Sequence, residues 1–185
     1  MKSHLIAASC LIFSAVGVAQ ECSPDMTKSA PNTRYVYSEQ GTIKDKLTGL
    51  TWMRCQVGKT WNAATEQCDG EATGFRWQSA LQEVAAINHP QSRHALHQFA
   101  SQAEWRLPNI KELVSLTEMA CFGPAMNSRA FAQGFKYETG NILSYLWSQS
   151  PHLASGQVWS FDSVNGEIYH YAPNFEFGVL LVAEE

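Results

Sequence analysis

The chain lacks any apolar run of the length that crosses a membrane, and it lacks any block of like charge. Its 13 lysines and arginines and 17 aspartates and glutamates give a formal net charge of -4 over 185 residues. Without a basic block, it does not have the charge pattern of a nucleic-acid-binding protein or of a helix that binds a membrane surface. The sequence contains no repeat and no low-complexity tract, and its length indicates a single domain.

The motifs of common catalytic sites are also absent. The sequence contains no Gly-x-Ser-x-Gly, no His-Glu-x-x-His and no glycine-rich phosphate loop. Several carboxylates could supply a glycosidase pair, but nothing in their spacing brings two of them together: Asp45, Asp69, Glu112, Glu138 and Asp162. The sequence therefore favours a protein without catalytic activity and leaves an enzyme as the alternative.

Patterns for binding metals are weak. There is no Cys-x-x-Cys spacing, so a zinc site is not expected. His94 and His97 would share a face if the segment around 95–100 and the residue before it are helical, but no third ligand accompanies them. Asn174 and Glu176 partly resemble the calcium loops of sugar-binding lectins. We therefore expect no cofactor, with calcium as the alternative.

Residues 1–19 have the pattern of a secretory signal peptide. Lys2 provides a positive start, residues 5–18 are mostly apolar, and small residues lead up to a cleavage site after Ala19. The pattern predicts an exported protein that is periplasmic, extracellular or on the cell surface. Cleavage would also remove Cys10 and leave an even number of cysteines.

Four cysteines in an exported domain are typical of two disulfides, for which three pairings exist. Cys55 and Cys68 flank a short loop rich in glycine, threonine and asparagine, so we pair them with each other. Cys22 then pairs with Cys121. This second bond would connect a polar and loosely packed lead segment, 20–34, to the end of a central helix.

Apolar periodicity and turn signals predict two helices among short strands. The first helix starts at Trp77 and ends before His89-Pro90. The second covers 109–119, with Asn109 and Glu112 in a capping box. Strands are expected at 34–37, 42–45, 50–54, 158–164, 167–172 and 177–183. This order indicates an α+β domain.

The block Trp105-Arg106-Leu107-Pro108, followed by Glu112-Leu113, resembles a hallmark of the bacterial Lcl C-terminal-like domain family, a domain of unknown function. Other positions match that family in the same order: Asp45, Thr48, Gly49, Leu50 and Trp52; Trp61; Trp77, Ala80 and Leu81; Trp147 and Ser148; Trp159, Phe161 and Gly166. The resemblance spans about residues 35–182. It implies that 35–185 form one domain with a C-type-lectin-like fold, in which the terminal strands lie close together.

One departure from the family bears on the ligand. The family usually ends in a Val-Arg-x-Val-Arg strand, whereas residues 179–182 read Val-Leu-Leu-Val. Binding of an anionic polysaccharide through a basic edge is therefore not expected here.

The Asn165-Gly166 pair is the strongest hairpin signal in the chain. A two-residue turn there places Asp162 opposite Tyr169, with Tyr171 on the same face. Aromatic rings beside hydroxyl and carboxylate groups suit sugars, so these three are candidate ligand-binding residues. The other face is interpreted as the core side: Trp159, Phe161, Ile168 and His170.

Alternatives remain for these residues. Cross-strand tyrosines also commonly cover a sheet face without binding anything. Trp61, inside the expected disulfide loop, is a further candidate for ligand binding. A structural role for this residue fits the sequence equally well.

The first hypothesis is an exported, disulfide-bonded, lectin-like module, an adhesin-like protein that binds a glycan or a surface protein without catalysis. The alternatives are an envelope hydrolase of the same fold and a structural or accessory subunit of a surface assembly. An enzyme should show a cleft with a carboxyl or histidine of displaced pKa, and a binding module a shallow aromatic patch. A structural subunit should expose a large apolar patch or an open strand edge.

Overall fold

The structure is a computed structural model that describes residues 20–131, 135 and 140–184, so the expected signal peptide lies outside the described residues. The helices and strands are β1 (Glu21–Cys22), β2 (Tyr35–Tyr37), β3 (Thr42–Asp45), β4 (Thr51–Met53), β5 (Thr60–Asn62), β6 (Gln67–Asp69), α1 (Trp77–Asn88), α2 (Ile110–Ser115), β7 (Cys121–Phe122), β8 (Tyr145–His152), β9 (Gln157–Asp162), β10 (Glu167–Tyr171) and β11 (Val182–Ala183). Across these ranges no helix has both the length and the apolar character that a membrane span requires. The domain is α+β, as predicted.

The first large sheet has the strand order β11-β4-β3-β2, which brings the end of the chain beside its early strands. The predicted strand at 177–183 is regular only over β11. The residues before it run between the two large sheets. The Gly178 N–H donates to the carbonyl of Tyr145 in β8, and the Val57 N–H, beyond β4, donates to the carbonyl of Val179, both at 2.9 Å.

The turn between β3 and β4 gives the Asp45-Thr48-Gly49 motif a structural role. The Asp45 carboxylate accepts hydrogen bonds from the Leu47 N–H and the Thr48 hydroxyl, both at 2.9 Å. Gly49 has a φ of +77°, which residues with a side chain rarely adopt. Arg34 donates to the same buried carboxylate from Nε at 2.8 Å, so Asp45 also holds the lead segment.

The second large sheet, with the order β10-β9-β8, contains the predicted hairpin, but the predicted register is wrong by two residues. Asp162 lies opposite Glu167 rather than Tyr169. The loop therefore has four residues, 163–166, instead of two. It closes where the Gly166 N–H donates to the Asp162 carbonyl at 2.8 Å.

The longer loop forms because other parts of the chain hold its backbone. The Ser163 N–H donates to the Ser144 carbonyl, and the Ala125 N–H donates to the Ser163 carbonyl, both at 3.0 Å. The Gly123 N–H donates to the Val164 carbonyl at 2.9 Å. These hydrogen bonds use backbone groups of Ser163 and Val164. A two-residue turn would instead have paired these two residues with the strand that follows it.

Both helices lie where the sequence predicts them, although α2 is shorter. Helix α1 ends at the predicted boundary. Helix α2 ends at Ser115, and a few residues later Glu118 turns inward. The Glu118 carboxylate accepts the N–H groups of Ser29 and Ala30 at 2.9 and 3.0 Å. The end of the lead segment is therefore fixed, with Ala30 fully buried, and the prediction that this segment is loosely packed is wrong at that end.

The buried core draws on both helices and both large sheets. Three tryptophans, Trp52, Trp105 and Trp147, are almost fully buried in it. At the end of α1, the Asn88 amide donates to the Trp105 carbonyl at 2.6 Å and accepts the Trp105 N–H at 3.0 Å. This contact fixes the Trp-Arg-Leu-Pro block against α1.

Both predicted disulfides are present, with Cys22 bonded to Cys121 and Cys55 bonded to Cys68. Cys22 and Cys121 are cross-strand partners in the small sheet of β1 and β7. Cys68 lies in the β5–β6 hairpin, which its bond fastens to the chain just after β4.

Asn109→Ala should lower the free energy of unfolding by about 1 kcal/mol, because it removes the N-cap of α2. Asn109 Oδ1 accepts the Glu112 N–H at 2.9 Å, and the Glu112 carboxylate accepts the Asn109 N–H at 2.7 Å, so the predicted capping box is present. Thermal unfolding measures the loss, with the exposed Lys111→Ala as the control. Unchanged stability together with impaired ligand binding would contradict a purely structural role for Asn109.

Candidate functional site

The second large sheet carries a group of aromatic rings that we call the tyrosine cluster: Tyr145, Tyr169, Tyr171, Phe175 and Phe177. The three tyrosine ring centroids lie between 5.6 and 6.4 Å apart. The Tyr171 ring also lies 5.0 Å from the buried Phe177 and 5.4 Å from the exposed Phe175. Tyr169 and Phe175 are both exposed, so the cluster is open to solvent on their side.

Polar groups accompany these rings. Tyr169 is 41% exposed, and its hydroxyl is hydrogen-bonded to the Glu167 carboxylate. Burial, together with a hydrogen bond to Tyr171, raises the pKa of Tyr145 to about 12, so its hydroxyl stays protonated at neutral pH. The cluster therefore offers ring faces, hydroxyl groups and one carboxylate to a ligand.

Of the residues predicted to bind ligand on this hairpin, Tyr169 and Tyr171 belong to the cluster and Asp162 does not. Asp162 is 4% exposed, and its carboxylate accepts the Val164 N–H at 2.8 Å and the Asn165 amide at 2.9 Å. It stabilises the loop and does not face solvent. Tyr171 is half-buried, so its ring also has a structural role.

The opposite face of this sheet is not all core, contrary to the prediction. Phe161 is fully buried on the sheet against which α2 packs, whereas Ile168 and His170 are exposed. The His152 and His170 rings stack at 4.2 Å, and each meets Trp159 edge-on at 5.1 Å. This second aromatic group is not among the sequence-based predictions. It forms because a four-residue turn at 153–156 places His152 opposite Gln157 in β9, while His170 lies opposite Trp159.

Trp61, the remaining predicted ligand-binding residue, is half-buried and packs on Arg54. The guanidinium carbon lies 4.1 Å from the Trp61 ring centroid, and the indole N–H donates to the Glu39 carbonyl at 2.8 Å. The Arg54 side chain is almost fully buried and donates to the carbonyls of Ala130 and Arg129. Trp61 therefore covers a buried cation, which is a structural role.

A cavity of about 570 Å³ lies beside Trp61, between the β5–β6 hairpin and residues 94–99. We call it the hairpin cavity. Glu83 of α1 and His94 both line it, with Glu83 Oε1 and His94 Nε2 2.9 Å apart. Its apolar lining includes Met53, Val57, Trp61, Phe75, Leu96 and Phe99.

Carboxyl groups with a lowered pKa lie outside this cavity. Burial tends to raise the pKa of Asp45 and of Glu112, but hydrogen bonds from Arg34 and Arg106 hold both values below the usual range. Arg106 contacts both carboxylate oxygens of Glu112, at 2.7 and 2.8 Å. These two acids stabilise the fold and do not form the catalytic cleft expected of an enzyme.

The histidines considered as metal ligands diverge. His94 pairs with Glu83, while His97 Nδ1 lies 2.8 Å from a backbone carbonyl of α1. Glu176, considered for calcium, lies 3.7 Å from Arg76 in an exposed ion pair. Among residues 20–131, 135 and 140–184, no three or more His, Cys, Asp and Glu side chains are grouped so that they could hold a metal ion.

These features define a class of protein: an α+β domain with two disulfides, short antiparallel sheets and exposed aromatic rings on one sheet. Within that class, the chain belongs to the family of Lcl C-terminal domains, whose family model matches residues 41–183. The match includes every block on which the sequence resemblance rests. A comparison with curated proteins finds no match.

Proposed function

We propose that this domain is an exported, C-type-lectin-like module that binds a glycan at the tyrosine cluster without catalysis. The observation that carries the proposal is the grouping of Tyr145, Tyr169 and Tyr171 on one face of an edge-exposed sheet. The C–H groups of a sugar ring pack well against aromatic faces, while its hydroxyls bond to tyrosine hydroxyls and carboxylates such as Glu167.

The fold and the compartment are part of the proposal. One sheet contains both β2, the first strand of the domain, and β11, the last, with β3 and β4 between them. This shared sheet supports a C-type-lectin-like arrangement, in which the terminal strands lie close together. Disulfides form and persist in oxidising compartments, which supports a periplasmic or extracellular location.

A role without catalysis fits the way the chain uses its acidic groups. Arginines and backbone N–H groups already engage Asp45 and Glu112, so neither is placed to protonate a glycosidic oxygen. Asp162 is occupied by the β9–β10 loop. We therefore expect a bound glycan to be released intact, as chromatography of the ligand after incubation would show.

A glycan array probed with the disulfide-bonded protein, with and without calcium, tests the proposal. We expect binding to a restricted set of neutral glycans. If calcium is required, a cation must take part in the site. An array of bacterial and host glycans without any signal would overturn the proposal and favour a structural subunit that binds protein.

Tyr169→Ala should weaken glycan binding about 5- to 30-fold while leaving thermal stability unchanged, because its exposed ring supplies stacking area to the ligand. Calorimetric titration measures the effect. Phe122→Ala is the matched control, since Phe122 is 52% exposed and lies in the small sheet of β1 and β7. Binding should respond little to salt, because an uncharged glycan has no net Coulomb attraction to the Glu167 carboxylate that salt could screen. Normal binding by Tyr169→Ala and lost binding by Trp159→Ala would place the site on the opposite face.

A further inference from the structure

The hairpin cavity is a concave feature that the glycan site does not use. Its volume of about 570 Å³ lies within the range of small-molecule sites in proteins. It is bounded by the chain after β4, the β5–β6 hairpin, helix α1 and the loop at 94–99. The Cys55–Cys68 disulfide fastens one side, so this wall is held covalently.

The lining is that of a site for an apolar ring. Trp61 and Phe75 contribute aromatic side chains, and Val57 and Leu96 contribute aliphatic ones. Trp61 is fixed by its stacking on Arg54 and by its indole hydrogen bond, so its position does not depend on a ligand. An apolar molecule would therefore meet a wall that is already in place.

Polar groups are few and are balanced in charge. The lining residues include Lys59, Glu83 and His94, and the Glu83 carboxylate already pairs with His94. Thr60 and Thr73 add hydroxyl groups. An uncharged molecule with a hydroxyl or amide group adds no charge to this mixed set and can hydrogen-bond with it.

The loop that covers the cavity has an unusual backbone. Gln98, Ala100 and Ser101 have φ values of 51°, 51° and 63°, although none of them is glycine. Such conformations are costly and persist where surrounding contacts enforce them, often at ligand sites. Here the hydrogen bond of His97 to α1 and the packing of Phe99 on Trp105, with centroids 6.4 Å apart, hold the loop.

We propose that the hairpin cavity is a second binding site, which takes a small uncharged molecule with an apolar ring body and one hydroxyl or amide group. The site is separate from the tyrosine cluster, so it does not depend on the proposed glycan binding. The rings and aliphatic side chains hold the ring body, and the threonine hydroxyls with the Glu83–His94 pair receive the polar group.

The test uses N-phenyl-1-naphthylamine, a neutral fluorescent probe with two apolar ring systems and one N–H group. We expect saturable binding of one probe per protein. Ala95→Trp should weaken it by about tenfold or more, because an indole at this lining position occupies the volume that the probe needs. Tyr169→Ala is the control and should bind the probe as the unaltered protein does.

A measurement on the unaltered protein keeps the result independent of how a variant folds. Nuclear Overhauser effects should connect the naphthyl protons to the methyl groups of Met53, Val57 and Leu96. Absence of saturable binding, contacts to other methyl groups, or equal affinity of a folded Ala95→Trp variant would each overturn the proposal. Because Tyr169→Ala should affect only glycan binding, failure of this proposal is distinguishable from failure of the proposed function.

Discussion

Replacing Cys22 and Cys121 together by alanine should lower the free energy of unfolding by about 4 kcal/mol, which is more than the loss of the other disulfide. The two cysteines are 99 positions apart, so their bond restricts most of the unfolded domain. Cys55 and Cys68 are only 13 positions apart, and their replacement should reduce the free energy by about 3 kcal/mol. The order of the two effects follows from the size of the loop that each bond closes.

Denaturant unfolding of the two double variants, followed by circular dichroism, measures this difference. Each double variant replaces two cysteines by two alanines, so each is the control for the other. A larger loss of stability for the Cys55–Cys68 variant would mean that this disulfide mainly stabilises the β5–β6 hairpin in the folded state. It would contradict the explanation that each disulfide acts by restricting the unfolded chain.

Local signals in the sequence predict both ends of α1 and the start of α2, but not the end of α2 at Ser115. The short helix considered at 95–100 does not form, because Gln98 and Ala100 have left-handed backbone conformations. The boundaries of α1 depend on Trp77 and on His89-Pro90, because proline cannot continue a helix. The start of α2 depends on Asn109 and Glu112, which contact each other directly. Both disulfides were also predictable, because one pair flanks a short loop and only one pairing of the others then remains.

The hairpin register could not be predicted, because it depends on residues distant in the sequence. A two-residue turn is the local preference of Asn165-Gly166. Bonds from Ser144 and from residues 123–125 engage the backbone of Ser163 and Val164 instead. Asp162 then becomes a loop-stabilising residue, and the site loses a carboxylate that the sequence assigns to it.

The exposure of the candidate site residues also depends on tertiary contacts. Alternation along β10 correctly places Tyr169 and Tyr171 on one face. It does not reveal that Phe177 buries part of Tyr171, or that Trp61 covers Arg54. The hairpin cavity was not predictable at all, because its walls come from segments as far apart as Met53 and Phe99.

Asp45→Asn should lower the free energy of unfolding by about 3–5 kcal/mol, because it leaves the charge of Arg34 buried without its partner. Both side chains are nearly inaccessible, at 7% exposed for Arg34 and 0% for Asp45. Asparagine keeps the size of the side chain but removes the charge, and its amide nitrogen cannot accept the hydrogen bonds that Oδ2 receives from Arg34 and Thr48. Glu112→Gln is the matched control, since its pair with Arg106 is more exposed, at 26% for Arg106 and 17% for Glu112, and the loss should be smaller. Equal losses in chemical denaturation would contradict the role of burial.

The dependence on pH separates the charge of Asp45 from its packing. Burial tends to raise the pKa of Asp45, but the hydrogen bonds from Arg34, Leu47 and Thr48 lower it below the usual value. A lowered folded-state pKa stabilises the fold fully above the unfolded-state pKa of about 3.9, and this contribution is lost as the pH falls through the folded-state value. The difference in stability between the unaltered protein and Asp45→Asn should therefore be constant near neutral pH and shrink below about pH 4. A difference that persisted down to about pH 2 would show that the hydrogen bonds of the turn, and not the ionised pair with Arg34, account for the loss.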